Sequence, residues 1–206
     1  MFINAGRRCA FDFNELKLPS ELSKAKALQI LNQRGYYKVD VTFDSIVNVL
    51  REYVGISTYR RGSSIQSAPE VVDCSTLTKW AYKLRGIRIP RYSIAQHTFF
   101  PIEVEISKMR AGDLVFTTGR INYFHLDPNY GIGHVGFATN EGTVIHAADK
   151  KQGVIESKLN DFVKEFRGIR RLVLDDSNIT TIESPADSVV EDSDQFRWMI
   201  LQQCEK

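Results

Sequence analysis

The chain has 206 residues, 43% of them hydrophobic and 25% charged, with a formal net charge of +2. That is enough apolar material for a core of ordinary size, and so small a net charge points to no nucleic-acid partner. No apolar run approaches the roughly 18 residues of a membrane span, and residues 1–13 hold Arg7 and Arg8 with no apolar stretch behind them. The expectation is therefore no secretory signal, and a chain that is cytoplasmic or exported by an unconventional route.

Residues 1–43 read as an N-terminal extension with one helix. Ser20 is placed to cap it, Leu22, Ala25, Leu28 and Leu31 recur at helical spacing, and Gly35 stops it. Asp44 is placed to cap a second helix, with Ile46, Val49, Leu50 and Tyr53 inward and Gly55 after it. A loop of small and polar residues covers 57–70. A third helix begins near Asp73, carries the stripe Leu77, Trp80, Ala81 and Leu84, and ends at Gly86.

Beyond Pro90 the periodicity changes. Leu114-Val115-Phe116 follows the turn Ala111-Gly112-Asp113 as a short strand. A loop over 119–133 carries Tyr123, Phe124, His125, Asp127, Pro128 and Tyr130. Two strand-like runs, 134–138 and 143–148, flank a turn at Thr139-Asn140-Glu141-Gly142, and 153–155 and 168–174 are further strand candidates. Helices first and a strand meander afterwards predict an α+β domain over 44–174 with an antiparallel sheet. Residues 175–206 hold eight acidic and two basic residues. They read as an acidic flexible tail whose apolar end, 195–204, offers a short helix for docking or self-association.

Cys9, Cys74 and Cys204 make no disulfide framework, and a reducing compartment is the simplest reading. Cys74 sits where Asp73-Cys74-Ser75 runs into the third helix. The unpaired amides and positive dipole end of a helix start favour thiolate over thiol, and so predict a lowered pKa and a nucleophile. A thiol nucleophile needs a base and a group that orients the base. Two of the four histidines, His134 and His146, fall in the hairpin after the nucleophile helix.

The hairpin imposes a condition. A plain two- or four-residue loop centred on Asn140-Glu141 would turn the two histidines to opposite faces, whereas an odd-length loop or a bulge at Gly142 puts them on one face. An odd loop or bulge is therefore expected. Zinc held by Cys74, His134 and His146, with His125 or Asp127 as a fourth ligand, is the competing reading, but no tight metal-ligand spacing accompanies it. No metal and no cofactor are expected.

In order along the chain, these residues resemble the NlpC/P60 cysteine peptidases. Asp73-Cys74-Ser75 resembles the family's Asp-Cys-Ser-Gly motif. Ile89-Pro90-Arg91-Tyr92-Ser93-Ile94-Ala95-Gln96 resembles its Leu-Pro-Arg-x-Ser-x-x-Gln segment. Ala111-Gly112-Asp113-Leu114-Val115-Phe116 is similar to its Pro-Gly-Asp-Leu-Val-Phe strand entry. Gly133-His134-Val135-Gly136 and Val144-Ile145-His146-Ala147 resemble the strands of the base and of the third polar residue. The similarity covers about 44–174.

The resemblance implies a papain-like fold, with the Cys helix packed on an antiparallel sheet, and hydrolysis of an amide bond in bacterial cell-wall peptides, often between D-glutamate and a diamino acid. It implies Cys74 as nucleophile, His134 as general base and His146 as the orienting residue. Tyr59, Asp73, Ser75 and Arg91 are its implied substrate-binding residues, Asp73 holding a free amino end in some members. Thr76 stands where the family has Gly, and Arg60-Arg61-Gly62 where Trp-Gly-Gly is usual. A thiol acyltransferase or amidase on a non-wall substrate, or an idle binding module, are the alternatives.

Overall fold

The computed structural model describes residues 2–119, 125–162, 165–173 and 175–204, with side chains from Ala5 onward. In chain order, β1 (Phe2–Asn4), β2 (Arg8–Asp12), α1 (Lys24–Gln33), β3 (Tyr37–Val39) and α2 (Phe43–Arg51) come first. β4 (Thr58–Tyr59), β5 (Val71–Val72), α3 (Cys74–Leu84), α4 (Ser93–Phe99) and β6 (Ile102–Glu103) follow. Next are β7 (Leu114–Thr118), β8 (Ile132–Ala138), β9 (Thr143–Asp149) and β10 (Gly153–Lys158). α5 (Leu159–Phe162), β11 (Phe166–Arg171), β12 (Ile179–Glu183) and α6 (Ser193–Cys204) complete the order.

The three expected helices form, each opened by a side chain that occupies backbone N–H groups lacking an intrahelical partner. α1 is capped by Ser23 rather than Ser20; the Ser23 Oγ accepts from the Lys26 N–H at 3.2 Å. α2 is capped by Thr42 rather than Asp44, through a reciprocal pair of bonds with Ser45 at 2.9 and 3.1 Å. Asp44 lies in the first turn, where its charge still suits the positive helix end. α4 has no counterpart in the expectations, because seven residues are too few for a helical period to show.

The chain divides into two compact units, one of Met1–Val41, Tyr82–Arg88 and Asp175–Lys206, the other of Thr42–Ala81 and Ile89–Leu174. This corrects the expected extension at 1–43 and flexible tail at 175–206. Instead, the two chain ends fold together. β12 pairs antiparallel with β2 on one side and β3 on the other, in a sheet of order β1-β2-β12-β3. Phe11, Leu16, Ile30, Leu31, Tyr36, Ile182, Phe196 and Ile200 form its core, with Phe196 stacked on Phe11 at 5.1 Å and edge-on to Tyr36 at 5.7 Å. The 195–204 segment thus turns Phe196 and Ile200 into its own unit and leaves Trp198 outside.

Charge composition concealed this because the acidic residues sit at turns and caps. Asp192 caps α6 by accepting from the Gln195 N–H at 3.1 Å, and Asp175 accepts from the Ser177 N–H at 2.9 Å. Between them Ile179-Thr180-Thr181-Ile182 is β-branched throughout, which suits a strand.

The second unit carries a sheet of order β10-β9-β8-β7-β11-β6, every neighbouring pair antiparallel. With its helices it makes the expected α+β architecture. Val104, Val115, Ala138, Val144, Leu159, Phe162 and Ile169 pack as a core cluster.

The β8–β9 hairpin meets the condition set by the histidines. Phe137 opposes Ile145 and Ala138 opposes Val144, and the Thr139 N–H donates to the Thr143 carbonyl at 3.0 Å. That leaves the odd loop Asn140-Glu141-Gly142, with Gly142 in the left-handed region at φ +75°. Arg51 on α2 braces the turn, its guanidinium 3.0 Å from both Glu156 and Glu141. In this register Gly136 faces His146, and a Cβ there would collide with Val144 and stand 3.1 Å from Phe162.

Two measurements test the folded state of the chain ends. The Thr180 and Ile182 amides are expected to exchange hydrogen as slowly as those of β2, whereas a flexible tail would exchange at once. Phe196→Ala is expected to destabilise its unit by about 3–5 kcal/mol in denaturant unfolding.

Candidate active site

The short parallel pair β4–β5 sets Tyr59 beside Val72 and delivers the chain to Asp73. Asp73 then organises the entrance of α3. Its Oδ1 accepts from the Thr76 N–H at 2.8 Å, capping the helix, and from the Ser75 hydroxyl at 3.2 Å. Its Oδ2 accepts from the Gly62 N–H at 2.9 Å. Arg91 grips both oxygens, at 3.1 and 2.6 Å, and also donates to Ser75 Oγ and the Ser63 carbonyl, each at 2.8 Å. Burial by itself would raise the Asp73 carboxyl, but Arg91 and the Thr76 N–H outweigh it and hold the group below its usual range.

Thr76, where the resembled motif has Gly, is fully buried, and its hydroxyl donates to the Ser63 carbonyl at 3.1 Å. The bulkier residue therefore ties the helix to the preceding loop. Gln96 on α4 clamps the same turn, donating to the Ser75 and Pro90 carbonyls at 3.0 and 2.9 Å and accepting from Thr78 at 2.9 Å.

Cys74 is buried at this helix start, with the Val135 and Ser75 backbone N–H groups directed at its sulfur. The expected lowering of its pKa is corrected. Burial, and then the Asp73 carboxylate, push the thiol up to about 11, outweighing those two N–H groups and Arg91. The helix end does supply donors, but desolvation of a buried anion is the larger effect. The resting group is a neutral thiol that needs a proton acceptor.

His134 precedes Val135 on β8 and lines the same cleft as Cys74. His134 Nε2 is 3.0 Å from His146 Nδ1, across the odd hairpin. His146 Nε2 is in turn 3.0 Å from the Ser157 hydroxyl on β10. Phe162 packs on both rings, 5.4 Å from His134 and 4.7 Å from His146. Burial, and then the neighbouring His134, push His146 down to about 3, so it stays neutral near pH 7.

A cleft of about 940 Å³ joins these groups; Tyr59, Asp73, Cys74, Ser75, Arg91, His134 and His146 all line it. All seven sequence-predicted site residues are thus brought together, and Arg61, Tyr92, Lys150 and Lys151 join them. Asp73, Ser75 and Arg91 spend their polar atoms largely on one another. The loop residues behave differently: His125 stacks on Tyr130 at 4.8 Å, Asp127 accepts from the Asn129 N–H of its own turn at 2.8 Å, and Tyr123 and Phe124 lie outside the described residues. Among the described residues no three His, Cys, Asp or Glu side chains are grouped as metal ligands.

Sequence reasoning missed Ser157, Ser63 and Phe162. Ser157 carried no local signal: only the β9–β10 register, in which Ile155 opposes His146 and Ser157 opposes Val144, brings it to the histidines.

Two experiments follow from these ionisations. With a thiol near 11, only about one Cys74 in ten thousand is intrinsically thiolate at pH 7. His134→Ala is therefore expected to slow iodoacetamide labelling of Cys74 at pH 7 at least about tenfold, the rate recovering only toward pH 11; labelling unaffected by the substitution would exclude His134 as its base. Because His146 is depressed, the neutral form stabilises the fold above the ordinary value of 6.5, and that contribution is lost as pH falls toward about 3. Between pH 6.5 and 5 the carboxylates are still ionised, so His146→Gln should flatten the pH dependence of unfolding there by up to about 1.4 kcal/mol per pH unit.

The unit that holds this cleft also carries the likeness to known proteins. The NlpC/P60 family model matches residues 57–171. Over 120 residues the chain is 36% identical to a Corynebacterium glutamicum protein named as a probable endopeptidase, covering 58% of this chain and 49% of that one. Over 130 residues it is 27% identical to a gamma-D-glutamyl-L-lysine dipeptidyl-peptidase of Bacillus cereus, covering 62% and 36%. The chain thus spans about half or less of the length of these curated relatives. The solved NlpC/P60 domain of the peptidoglycan hydrolase SagA superposes with a TM-score of 0.50 at 26% identity, covering 63% of this chain and 98% of that domain. The matched segment contains Cys74, His134 and His146, and the chain belongs to the NlpC/P60 family.

Proposed function

We propose that the cleft is the active site of a cysteine peptidase that hydrolyses an amide bond in bacterial cell-wall peptides. The observation that carries this reading is the 3.0 Å contact of His134 Nε2 with His146 Nδ1 in the cleft that Cys74 lines. A buried thiol, a histidine beside its helix entrance and a second, neutral histidine behind the first match the needs of nucleophilic acyl transfer. The names of the relatives supply the substrate class, and the Bacillus cereus relative favours a γ-D-glutamyl bond.

In this mechanism His134 Nδ1 takes the Cys74 proton as sulfur attacks the carbonyl carbon. Backbone N–H groups at the start of α3 meet the developing oxyanion. His134 returns its proton to the leaving amine, and water then cleaves the thioester with His134 again acting as base. His146 holds the His134 ring in line without changing charge, which its depressed pKa favours. His146 therefore stays uncharged while His134 carries the proton during reaction.

Incubation with defined muropeptides, bearing free or blocked amino ends and followed by mass analysis, tests the reading. One amide cleavage is expected, absent in Cys74→Ala and reduced but measurable in His146→Ala, since orientation supplies only part of the rate. Intact muropeptides after prolonged incubation would remove the wall-peptide substrate. Cleavage surviving in Cys74→Ala would remove the nucleophile.

A further inference from the structure

A neutral imidazole has one N–H and one bare nitrogen, so a hydrogen bond to one nitrogen fixes the role of the other. His146 is held at both. Its Nδ1 is 3.0 Å from His134 Nε2, and its Nε2 is 3.0 Å from Ser157 Oγ. If His146 carried its proton on Nδ1, it would donate to His134 Nε2. His134 would then carry its proton on Nδ1 and could not accept one there. The catalytic tautomer of His134 therefore requires His146 to be protonated on Nε2.

We propose that Ser157 is a positioning residue that selects this tautomer: its hydroxyl oxygen accepts from the His146 Nε2–H, which leaves His146 Nδ1 to accept from the His134 Nε2–H and makes His134 Nδ1 the unprotonated nitrogen that takes the Cys74 proton. The inference rests on the roles given above to Cys74 and His134. No second proton transfer is involved; the Nε2 protons of both histidines stay in place throughout.

The sheet builds this arrangement by register. On β10, Ile155 opposes His146 and Ser157 opposes Val144. Ser157 therefore lies on the face of His146, one diagonal step away. His134 makes the same diagonal step from the other side, so three adjacent strands present His134, His146 and Ser157 in a row. Phe162 covers the His146 ring, which is 8% exposed, and so limits competing water there. Ser157 is half-buried, and solvent is available to take its own hydroxyl proton. The low His146 pKa is consistent with a ring that stays neutral while holding two hydrogen bonds.

The test compares Ser157→Thr with Ser157→Val, two branched side chains that differ by a hydroxyl against a methyl. Nitrogen-15 NMR of the histidine rings reports the tautomer without any substrate. Wild type and Ser157→Thr are expected to show His146 protonated on Nε2, and Ser157→Val a shift toward Nδ1. Iodoacetamide labelling of Cys74 at pH 7 should fall about tenfold in Ser157→Val and recover in Ser157→Thr. On a cleaved peptide, the loss should appear in kcat with KM little changed. An unchanged tautomer and labelling rate in a folded Ser157→Val would overturn the role of Ser157. Failure to cleave any muropeptide, with the tautomer shift intact, would overturn the substrate and leave Ser157 in place.

Discussion

The site depends on the parity of one hairpin. Side chains alternate along a strand, so a turn longer or shorter by one residue would turn His146 away from His134 and remove their contact. The Asn140-Glu141-Gly142 loop fixes the odd count, and the left-handed Gly142 lets the chain reverse in that length. Gly136, opposite His146, leaves the room in which the two rings meet. Arg51, held to the turn and to β10 through Glu141 and Glu156, ties the hairpin to α2. The face that results carries His134, His146 and Ser157 across β8, β9 and β10.

A second constraint acts at the entrance of α3. Asp73 caps the helix and is charge-balanced by Arg91, which also fixes Ser75 and Ser63. This network holds the Cys74 backbone rigidly and places a carboxylate next to the thiol. Burial and that carboxylate keep the sulfur protonated at rest. A buried thiolate would be costly to maintain, so the resting site holds the sulfur as a neutral thiol.

The unit formed by the two chain ends follows a separate logic. Its central strands β2 and β12 come from opposite ends of the sequence, and Phe196 of α6 meets Phe11 of β2 in the core. Neither end completes this sheet by itself, because β12 lies between β2 and β3. The acidic side chains near β12 and α6 cap and turn the chain, so a composition that suggests disorder accompanies a packed structure.

The sequence by itself determined the α+β class of the central unit, the helix that begins at Cys74 and the two strands of the hairpin, and it singled out Cys74, His134 and His146 as the candidates that the structure brings to one cleft. These are local properties: caps, periodicity and turn residues act within a few positions. Tertiary structure alone decided the rest. The thiol pKa runs opposite to the helix-end expectation because burial and Asp73 depend on packing. The cap positions of α1 and α2 moved by a few residues because several polar side chains competed for them. Ser157 joined the histidines because strand register, a long-range property, laid β10 beside β9. The ends of the chain became a folded unit because β12 found its partners more than a hundred residues away, where no local pattern could report them.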